Sequence, residues 1–283
     1  MAYAIFGTFS ANPFTAEIKA ADGSIFRLAP PDQIDEVPGQ GFVRNATGFL
    51  APSRDAAPPE VKVRPDSQRL ALLTPFPAWD GLDFTGLRLL LKARGKCTTD
   101  HISPAGPWLK FRGHLDHISD NIFNGAVNAF TGEAGKAVNG LTGAIQSYNE
   151  IARAYRAAGE NWVVVGDGNY GEGSSREHAA MSPRHMGGMA IITRSFARIH
   201  ETNQKKQGIL PLTFTRPEDY ELVQEGDRIN LLGITELAPG STIRLILHHF
   251  DGSSTEAALR HSLNDEQIAW FKAGSALNSL RRS

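Results

Sequence analysis

A glycine-rich segment from Gly166 to His178 holds the side chains best suited to chemistry. It reads Gly-Asp-Gly-Asn-Tyr-Gly-Glu-Gly-Ser-Ser-Arg-Glu-His and follows a short apolar run. Its glycines let the backbone turn sharply and approach a ligand closely. A helix predicted to start near Ser174 offers free N–H groups to an anion, and Arg176 adds a fork that matches a carboxylate or phosphate. The segment lacks the ending of a P-loop and the form of a dinucleotide fingerprint.

The same serine also has a purely structural interpretation. Ser174 and Glu177 have the spacing of a capping box, in which the serine hydroxyl does no more than cap the helix. The residue types therefore leave an anion site and a simple helix cap both open.

A second group of polar residues lies upstream, in the string Gly-Lys-Cys-Thr-Thr-Asp-His-Ile-Ser at 95–103 and in Lys-Phe-Arg-Gly-His at 110–114. Asp100 beside His101 can act as a proton-transfer pair, and Arg112 can bind a carboxylate. The alternative is a solvated loop in which the aspartate caps a helix.

Other reactive side chains favour structural interpretations. His114 and His117 can share one helix face, but a histidine pair without a third ligand is typical of an ordinary surface. Cys97 has no neighbour that would lower its pKa, which favours a buried bystander over a nucleophile. Residues 194–208 contain several basic side chains, which fit either the solvated end of a helix or contacts with an anionic ligand or RNA.

The elements that would position these residues alternate from Leu70 onward, which predicts an α/β domain with a core of mixed strands flanked by helices. Strands are predicted at 87–91, 162–165, 190–192, 209–214, 228–232 and 243–249. Helices are predicted at 118–128, 148–158 and 196–204, and from Asn264 through Phe271. The glycine-rich segment thus directly follows a buried strand.

Residues 1–66 differ in composition and are predicted to form a hairpin and a linker. Predicted strands at 17–19 and 25–28 flank Asp22-Gly23, a two-residue turn signal. The stretch 29–66 is rich in Pro, Gly, Ala, Asp and Ser and is predicted to be an extended tether. Residues 67–283 form the predicted second domain.

Composition excludes several classes of protein. Lys and Arg number 29 against 30 Asp and Glu, so the net charge of −1 argues against a chain built to coat nucleic acid or an anionic membrane. No segment approaches the roughly 18 apolar residues of a membrane span, and neither a signal peptide nor a transit peptide is recognisable. The single cysteine rules out an internal disulfide, a four-cysteine zinc site and a cluster held only by this chain's thiolates.

Taken together, the polar strings resemble the aconitase family, in particular the C-terminal swivelling domain of its mitochondrial-type members. The matching strings lie at 95–103, 106–116, 169–180, 191–203 and 273–278. The resemblance covers residues 67–283, and the preceding tether is similar to the family's interdomain linker. It implies an α/β fold, an aconitase-type swivelling β/β/α domain preceded by an extended linker.

The resemblance also implies an activity, the conversion of citrate to isocitrate through cis-aconitate by a hydro-lyase. Carried over residue by residue, it implies Ser174 as the base, Asp100 and His101 in the proton-handling network, and Arg112, Ser175 and Arg176 as substrate ligands. A serine alkoxide needs a positive environment, which Arg176 and the predicted helix start would supply.

The family's [4Fe–4S] cluster is implied but cannot be ligated by a chain with one cysteine, and no metal site is predicted here. We therefore expect a cluster-bearing partner or half, a tricarboxylate substrate, and no nucleic acid or membrane partner. The resemblance suggests a mitochondrial location, with a cytoplasmic one also open. Two alternatives stay open: an enzyme for another tricarboxylate, such as homocitrate or an alkylcitrate, and a non-catalytic, truncated binding module.

Overall fold

The computed structural model describes residues 1–30, 32, 39–42, 48–51, 53, 55, 57 and 59–280. The chain divides into two compact units, Met1–Glu60 and Val61–Ser283. Part of the predicted tether at 29–66 lies outside the described residues. The predicted boundary between residues 66 and 67 stays a prediction.

The first unit contains a short helix and a hairpin. Helix α1 spans Ala2–Phe6, and strands β1 (Glu17–Lys19) and β2 (Ile25–Arg27) pair antiparallel, which confirms the predicted hairpin. The predicted two-residue turn is wrong, because Lys19 pairs with Ile25 and residues 20–24 form the connection. Asp22 Oδ1 accepts a hydrogen bond from the Ser24 N–H (2.9 Å), so the loop is stabilised by an aspartate turn instead.

Within the described residues of the second unit, seven strands close into a barrel in the order β10-β11-β8-β7-β6-β3-β9. Their bounds are Phe84–Lys92 (β3), Trp162–Gly166 (β6), Gly188–Thr193 (β7), Leu210–Phe214 (β8), Arg228–Leu232 (β9), Thr242–His248 (β10) and Ser254–Arg260 (β11). Strands β3, β6, β7 and β8 run parallel, whereas β9, β10 and β11 pair antiparallel with their neighbours. A separate hairpin joins β4 (Lys136–Val138) to β5 (Ile145–Ser147).

Helices between the strands span Thr99–Ile102 (α2), Leu115–Ile118 (α3), Tyr148–Ala157 (α4), His178–His185 (α5) and Arg198–Lys206 (α6). Two more follow the last strand, at Asp265–Ala273 (α7) and Ala276–Ser279 (α8). Short 3-10 segments span Gly106–Phe111, Ser119–Asn121, Pro217–Leu222 and Ile234–Glu236. Helix α7 begins as predicted, because the Asn264 side chain accepts a hydrogen bond from the Gln267 N–H (2.9 Å).

The apolar core occupies both faces of the parallel strands. Val163 and Val165 of β6 belong to the cluster shared with the antiparallel strands, inside the barrel. Trp162 and Val164, which alternate with them, pack in another cluster with Ile151 of α4. All five residues of β6 are therefore buried, which explains its uninterrupted apolar sequence.

The α/β class is confirmed, and so are the predicted strands, each within a few residues. The helix predicted at 118–128 is wrong: α3 ends at Ile118, and buried Phe123 has a φ of +56°, which a helix cannot contain. The helix start near Ser174 is also wrong, since α5 begins at His178. Among the described residues, no helix is long and apolar enough to cross a membrane.

Candidate active site

Loops from neighbouring parallel strands meet at the carboxyl edge of the sheet. The loops follow β3, β6 and β7, and backbone hydrogen bonds join them side by side. The Thr99 N–H donates to Glu172 O (2.9 Å), the Gly171 N–H to Cys97 O (2.8 Å), and the Tyr170 N–H to Ser195 O (2.9 Å). Carboxyl edges of parallel strands are where α/β proteins place ligand sites. The predicted site residues thus lie on connections that the sheet aligns.

Gly171 is the tightest point of this surface. Its φ is +81°, and a Cβ there would lie 2.1 Å from Cδ2 of His200 in α6. Glycine is therefore the residue that this close approach requires. Burial lowers the pKa of His200 to about 4, so its imidazole is neutral at physiological pH and serves as a packing surface.

Asp167 fastens the beginning of the glycine-rich segment. It accepts hydrogen bonds from the Gly95 N–H (2.8 Å), from the Gly168 N–H (2.8 Å) and from Arg194 (2.9 Å). Burial opposes ionisation, but these bonds hold the pKa of Asp167 below its usual value. Asp167 is not among the predicted site residues, although an acid between two glycines at the end of a predicted strand could have marked it.

Ser174 and Ser175 lie exposed in the loop that precedes α5. The residue that caps α5 is Glu177, and it makes no side-chain capping bond, so the capping-box interpretation of Ser174 is wrong. Across the described chain, no residue hydrogen-bonds the Ser174 hydroxyl. The Ser175 hydroxyl accepts a bond from Asn203 Nδ2 of α6 (3.4 Å). The Ser174 hydroxyl is therefore free to meet a molecule from outside.

Arg176 pairs with Asp100, which brings two predicted site residues together across the β3 and β6 loops. Arg176 also donates to the Ser103 carbonyl (3.3 Å). The hydrogen bond from Arg176 lowers the pKa of Asp100, so this carboxylate is ionised at neutral pH. The guanidinium side chain is 22% exposed, so it is held by the protein and still reachable from the surface.

His101 has a local structural task. Its Nδ1 accepts a hydrogen bond from the Thr98 N–H (3.2 Å), while the Thr98 hydroxyl accepts one from the His101 N–H (3.3 Å). These reciprocal bonds cap α2. In the part of the chain that the structure describes, the Asp100 and His101 side chains do not bond to each other. The proton-handling role predicted for His101 stays a prediction.

Arg112 follows the 3-10 turn 106–111 and is exposed. Its carbonyl accepts a hydrogen bond from His178 Nε2, the first residue of α5 (3.0 Å). No acceptor among the described residues bonds its guanidinium group. His178 thus connects the Arg112 loop to the segment that carries Ser174.

Cys97 and the histidine pair of residues 114 and 117 have surroundings that fit structural roles. Burial raises the pKa of the Cys97 thiol to about 12, which makes it a poor nucleophile. The rings of His114 and His117 stack with centroids 3.7 Å apart, and the His117 N–H donates to His114 Nδ1 (3.2 Å). Among the described residues, no group of three or more metal-ligating side chains could hold an ion.

Residues 87–217, which span the whole of this edge, match the family model described as aconitase C-terminal domain. The chain carries an aconitase C-terminal domain. The mitochondrial aconitate hydratase of Gracilaria gracilis is 53% identical over 280 residues, which cover 99% of this chain and 36% of that protein. The Saccharomyces cerevisiae mitochondrial enzyme is 52% identical with the same coverage. The chain spans about a third of the length of these relatives, and the resemblance inferred from its strings is confirmed.

A solved structure of a 3-isopropylmalate dehydratase from Methanocaldococcus jannaschii also matches. Its TM-score is 0.43 with 19% identity, over 65% of this chain and 86% of that one.

The aconitase family implies a [4Fe–4S] cluster, and the residues of this chain do not fit it. Such a cluster needs several thiolates, whereas the sequence has one cysteine and burial keeps that thiol protonated. The thiolates of this chain therefore cannot hold such a cluster.

Proposed function

We propose that this chain supplies the serine–arginine half of an aconitase-type hydro-lyase site, which interconverts citrate and isocitrate through cis-aconitate. A separate cluster-bearing part would complete the site. The observation that carries the proposal is the free, exposed Ser174 hydroxyl on a loop fixed to the sheet edge, two residues from the partly exposed guanidinium of Arg176. The mitochondrial relatives, about half identical along the whole chain, support the reaction class.

Ser174 is assigned the proton transfer. Its alkoxide would take a proton from a substrate carbon and return it to cis-aconitate, the intermediate of the proposed reaction. A serine hydroxyl is a poor base unless positive charge stabilises its anion, and Arg176 supplies that charge. Asp100 would hold Arg176 in place and balance its charge when the site is empty, as their ion pair suggests. The hydroxyl group that leaves the neighbouring carbon, and that returns on hydration, would be handled by the separate part that completes the site, because no residue of this chain is assigned to it.

Arg112 and Arg176 are assigned the carboxylate groups of the substrate. Guanidinium forks match carboxylates in geometry as well as charge, and the Arg112 fork is exposed. Ser175 would add a hydrogen bond to the same substrate. These assignments favour a tricarboxylate. We infer a mitochondrial location from the names of the relatives.

The test exchanges the matching segment of the yeast mitochondrial enzyme for this chain and follows the hydration of cis-aconitate. We expect an active chimera. Ser174→Ala should lower turnover by at least about 10²-fold, because proton transfer by a positioned group contributes that much. Its unfolding midpoint should not change, since the hydroxyl makes no bond in the described chain. The matched control is Ser253→Ala, which removes a surface hydroxyl bonded to Asp251 in the β10–β11 turn and should keep turnover.

Full turnover in the Ser174→Ala chimera would overturn the role of this serine. A folded chimera with its cluster in place that hydrates no cis-aconitate would overturn the proposed reaction. In that case homocitrate and alkylcitrate should be assayed next, because they differ from citrate in groups that the other half of the site would contact.

A further inference from the structure

A cavity of about 590 Å³ lies at the opposite edge of the sheet from the candidate active site. Phe84, at the start of β3, and Asn161, just before β6, are among its walls, so it borders the amino ends of the parallel strands. The extended segment 74–80 and the C-terminal end of α5 close its sides. Its volume falls within the range of small-molecule sites.

Arg184, near the end of α5, lines this cavity. Its Nη2 donates to Pro77 O (3.0 Å), and its Nη1 contacts Sδ of Met189 (3.5 Å), a weak acceptor. Its Nε is buried and has no hydrogen-bond partner among the described residues. Among the described residues, no carboxylate lies within ion-pair distance of this guanidinium.

Burial with no compensating charge is costly for a cation. Burial lowers the pKa of Arg184 below its usual value. Arg176, which lies just before the N-terminus of α5, differs from Arg184 because the Asp100 carboxylate is its ion-pair partner. The guanidinium of Arg184 thus offers hydrogen-bond donors and positive charge to the cavity.

The rest of the lining adds positive charge and apolar walls. Arg156 lies at the exposed rim, and its Nη1 is 3.3 Å from His185 Nε2. The same nitrogen of His185 is hydrogen-bonded to the Asp116 carboxylate (2.9 Å). Of the described side chains around the cavity, Asp80 is the acid, and its Oδ1 is engaged by the Leu82 N–H (3.0 Å). The aromatic rings of Phe76, Trp79, Phe84 and Phe271 form much of the wall.

We propose that this cavity is a binding site for a small organic anion, with its phosphate or carboxylate group on Arg184 and its apolar body against the aromatic rings. Guanidinium groups bind both oxyanions by charge-assisted hydrogen bonds, so the chemistry of recognition is shared. Arg156 at the rim would add a second positive charge as the ligand enters. The site is separate from the proposed hydro-lyase site, because the two lie at opposite edges of the parallel sheet.

The test measures binding of phenyl phosphate, benzoate and inorganic phosphate to the full chain by calorimetry, at constant ionic strength. We expect saturable binding of one equivalent, tighter for phenyl phosphate or benzoate than for inorganic phosphate because of the rings. Phenyl phosphate and benzoate share an aromatic ring, so the one that binds more tightly shows whether the site prefers a phosphate or a carboxylate group. Arg184→Met should weaken that binding about tenfold or more, because it removes a charged hydrogen-bond donor.

One control separates this site from surface cations. Arg244→Met removes an arginine that is 58% exposed, on β10, and should not change the affinity. Arg156→Met is at the exposed rim and should fold normally while weakening binding severalfold. Equal affinity in the Arg184→Met and Arg156→Met variants, or no saturable binding of any probe, would overturn the proposal.

Discussion

Within the barrel, β6, β7 and β8 differ from β9, β10 and β11 in what covers their outer faces. The first group is buried almost throughout, with apolar clusters on both sides. The second group alternates between buried and less buried residues, so one face packs inward and the other meets solvent. The two groups also differ in their connections, because parallel strands need crossovers while antiparallel strands can be joined by turns.

The difference explains where the candidate site lies. The crossovers that follow β3, β6 and β7 contain helices that pack against strands of the sheet. Each loop is therefore held between a strand and packed secondary structure, and it can keep polar side chains in fixed positions. Ser174, Arg176 and Asp100 all belong to these connections. The connection between β10 and β11 is the turn 249–253, which joins two antiparallel strands and holds none of the candidate residues. In this fold, the length of a connection decides where chemistry can be placed.

The largest expected effect is a loss of folding stability, which should be greater when a glycine in the parallel region is replaced by alanine than when one in the antiparallel region is replaced. Gly171 and Gly252 both have positive φ, but a Cβ at Gly171 would collide with His200, whereas nothing lies within 4 Å of one at Gly252. Gly171→Ala should therefore lower the free energy of unfolding by more than about 3 kcal/mol, through backbone strain plus overpacking. Gly252→Ala should cost about 1–2 kcal/mol from strain alone. Urea unfolding measures both, and equal losses would contradict the comparison.

A smaller effect separates activity from stability in the parallel region. Asp100→Asn breaks the ion pair with Arg176. Because the Asp100 side chain is 62% exposed, the free energy of unfolding should change by less than about 1 kcal/mol. Turnover of the active chimera should fall at least about tenfold, because Arg176 loses its positioning partner. Glu256→Gln is the matched control in the antiparallel region, where the pair with Arg244 spans 4.0 Å. Unchanged turnover in Asp100→Asn would remove Asp100 from the site.

The smallest effect concerns pH and the ion pairs that join the helices over the parallel strands. Burial raises the pKa of Asp116, but hydrogen bonds from His185 and Arg153 outweigh it and hold the pKa at about 2. Because the folded pKa lies below the usual value of 3.8, the stabilisation is present above that pH and is lost as pH falls through about 2.

Asp116→Asn should therefore cost about 1 kcal/mol at neutral pH, a value reduced by solvent screening because the side chain is 45% exposed. The difference from the wild-type chain should shrink toward zero as pH approaches about 2. Urea unfolding across this pH range measures it, and a pH-independent difference would argue against the ion pairs as its source.

The buried strands could be predicted because an uninterrupted apolar run indicates a strand that is covered on both faces. The run Trp162–Val165 is apolar at every position, and both of its faces are covered. Strand β11 was missed, because Ser254–Arg260 is mostly polar or small, and its pairing with β10 supplies what its composition does not. The helix predicted at 118–128 failed at Phe123, whose positive φ depends on tertiary packing.

The candidate site shows the same limit more sharply. Asp100 and Arg176 are 76 positions apart, so spacing could not pair them, and the resemblance named both residues without pairing them. The spacing of Ser174 and Glu177, typical of a capping box, predicted the wrong helix start. Gly173 has a φ of +119°, and α5 begins only at His178. Arg184 had no signal in the sequence, since the lack of a counter-ion among the described residues is a property of the folded neighbourhood.

The buried thiol of Cys97 has a practical consequence for spectroscopy. The sequence has no other cysteine, and a pKa of about 12 leaves almost none of this thiol reactive at neutral pH. A single cysteine introduced at an exposed position, such as Lys110 or Ser253, would then accept a fluorophore or spin label selectively, without prior removal of the native residue. A single label placed in this way would report the motion of its own segment without a background signal from Cys97.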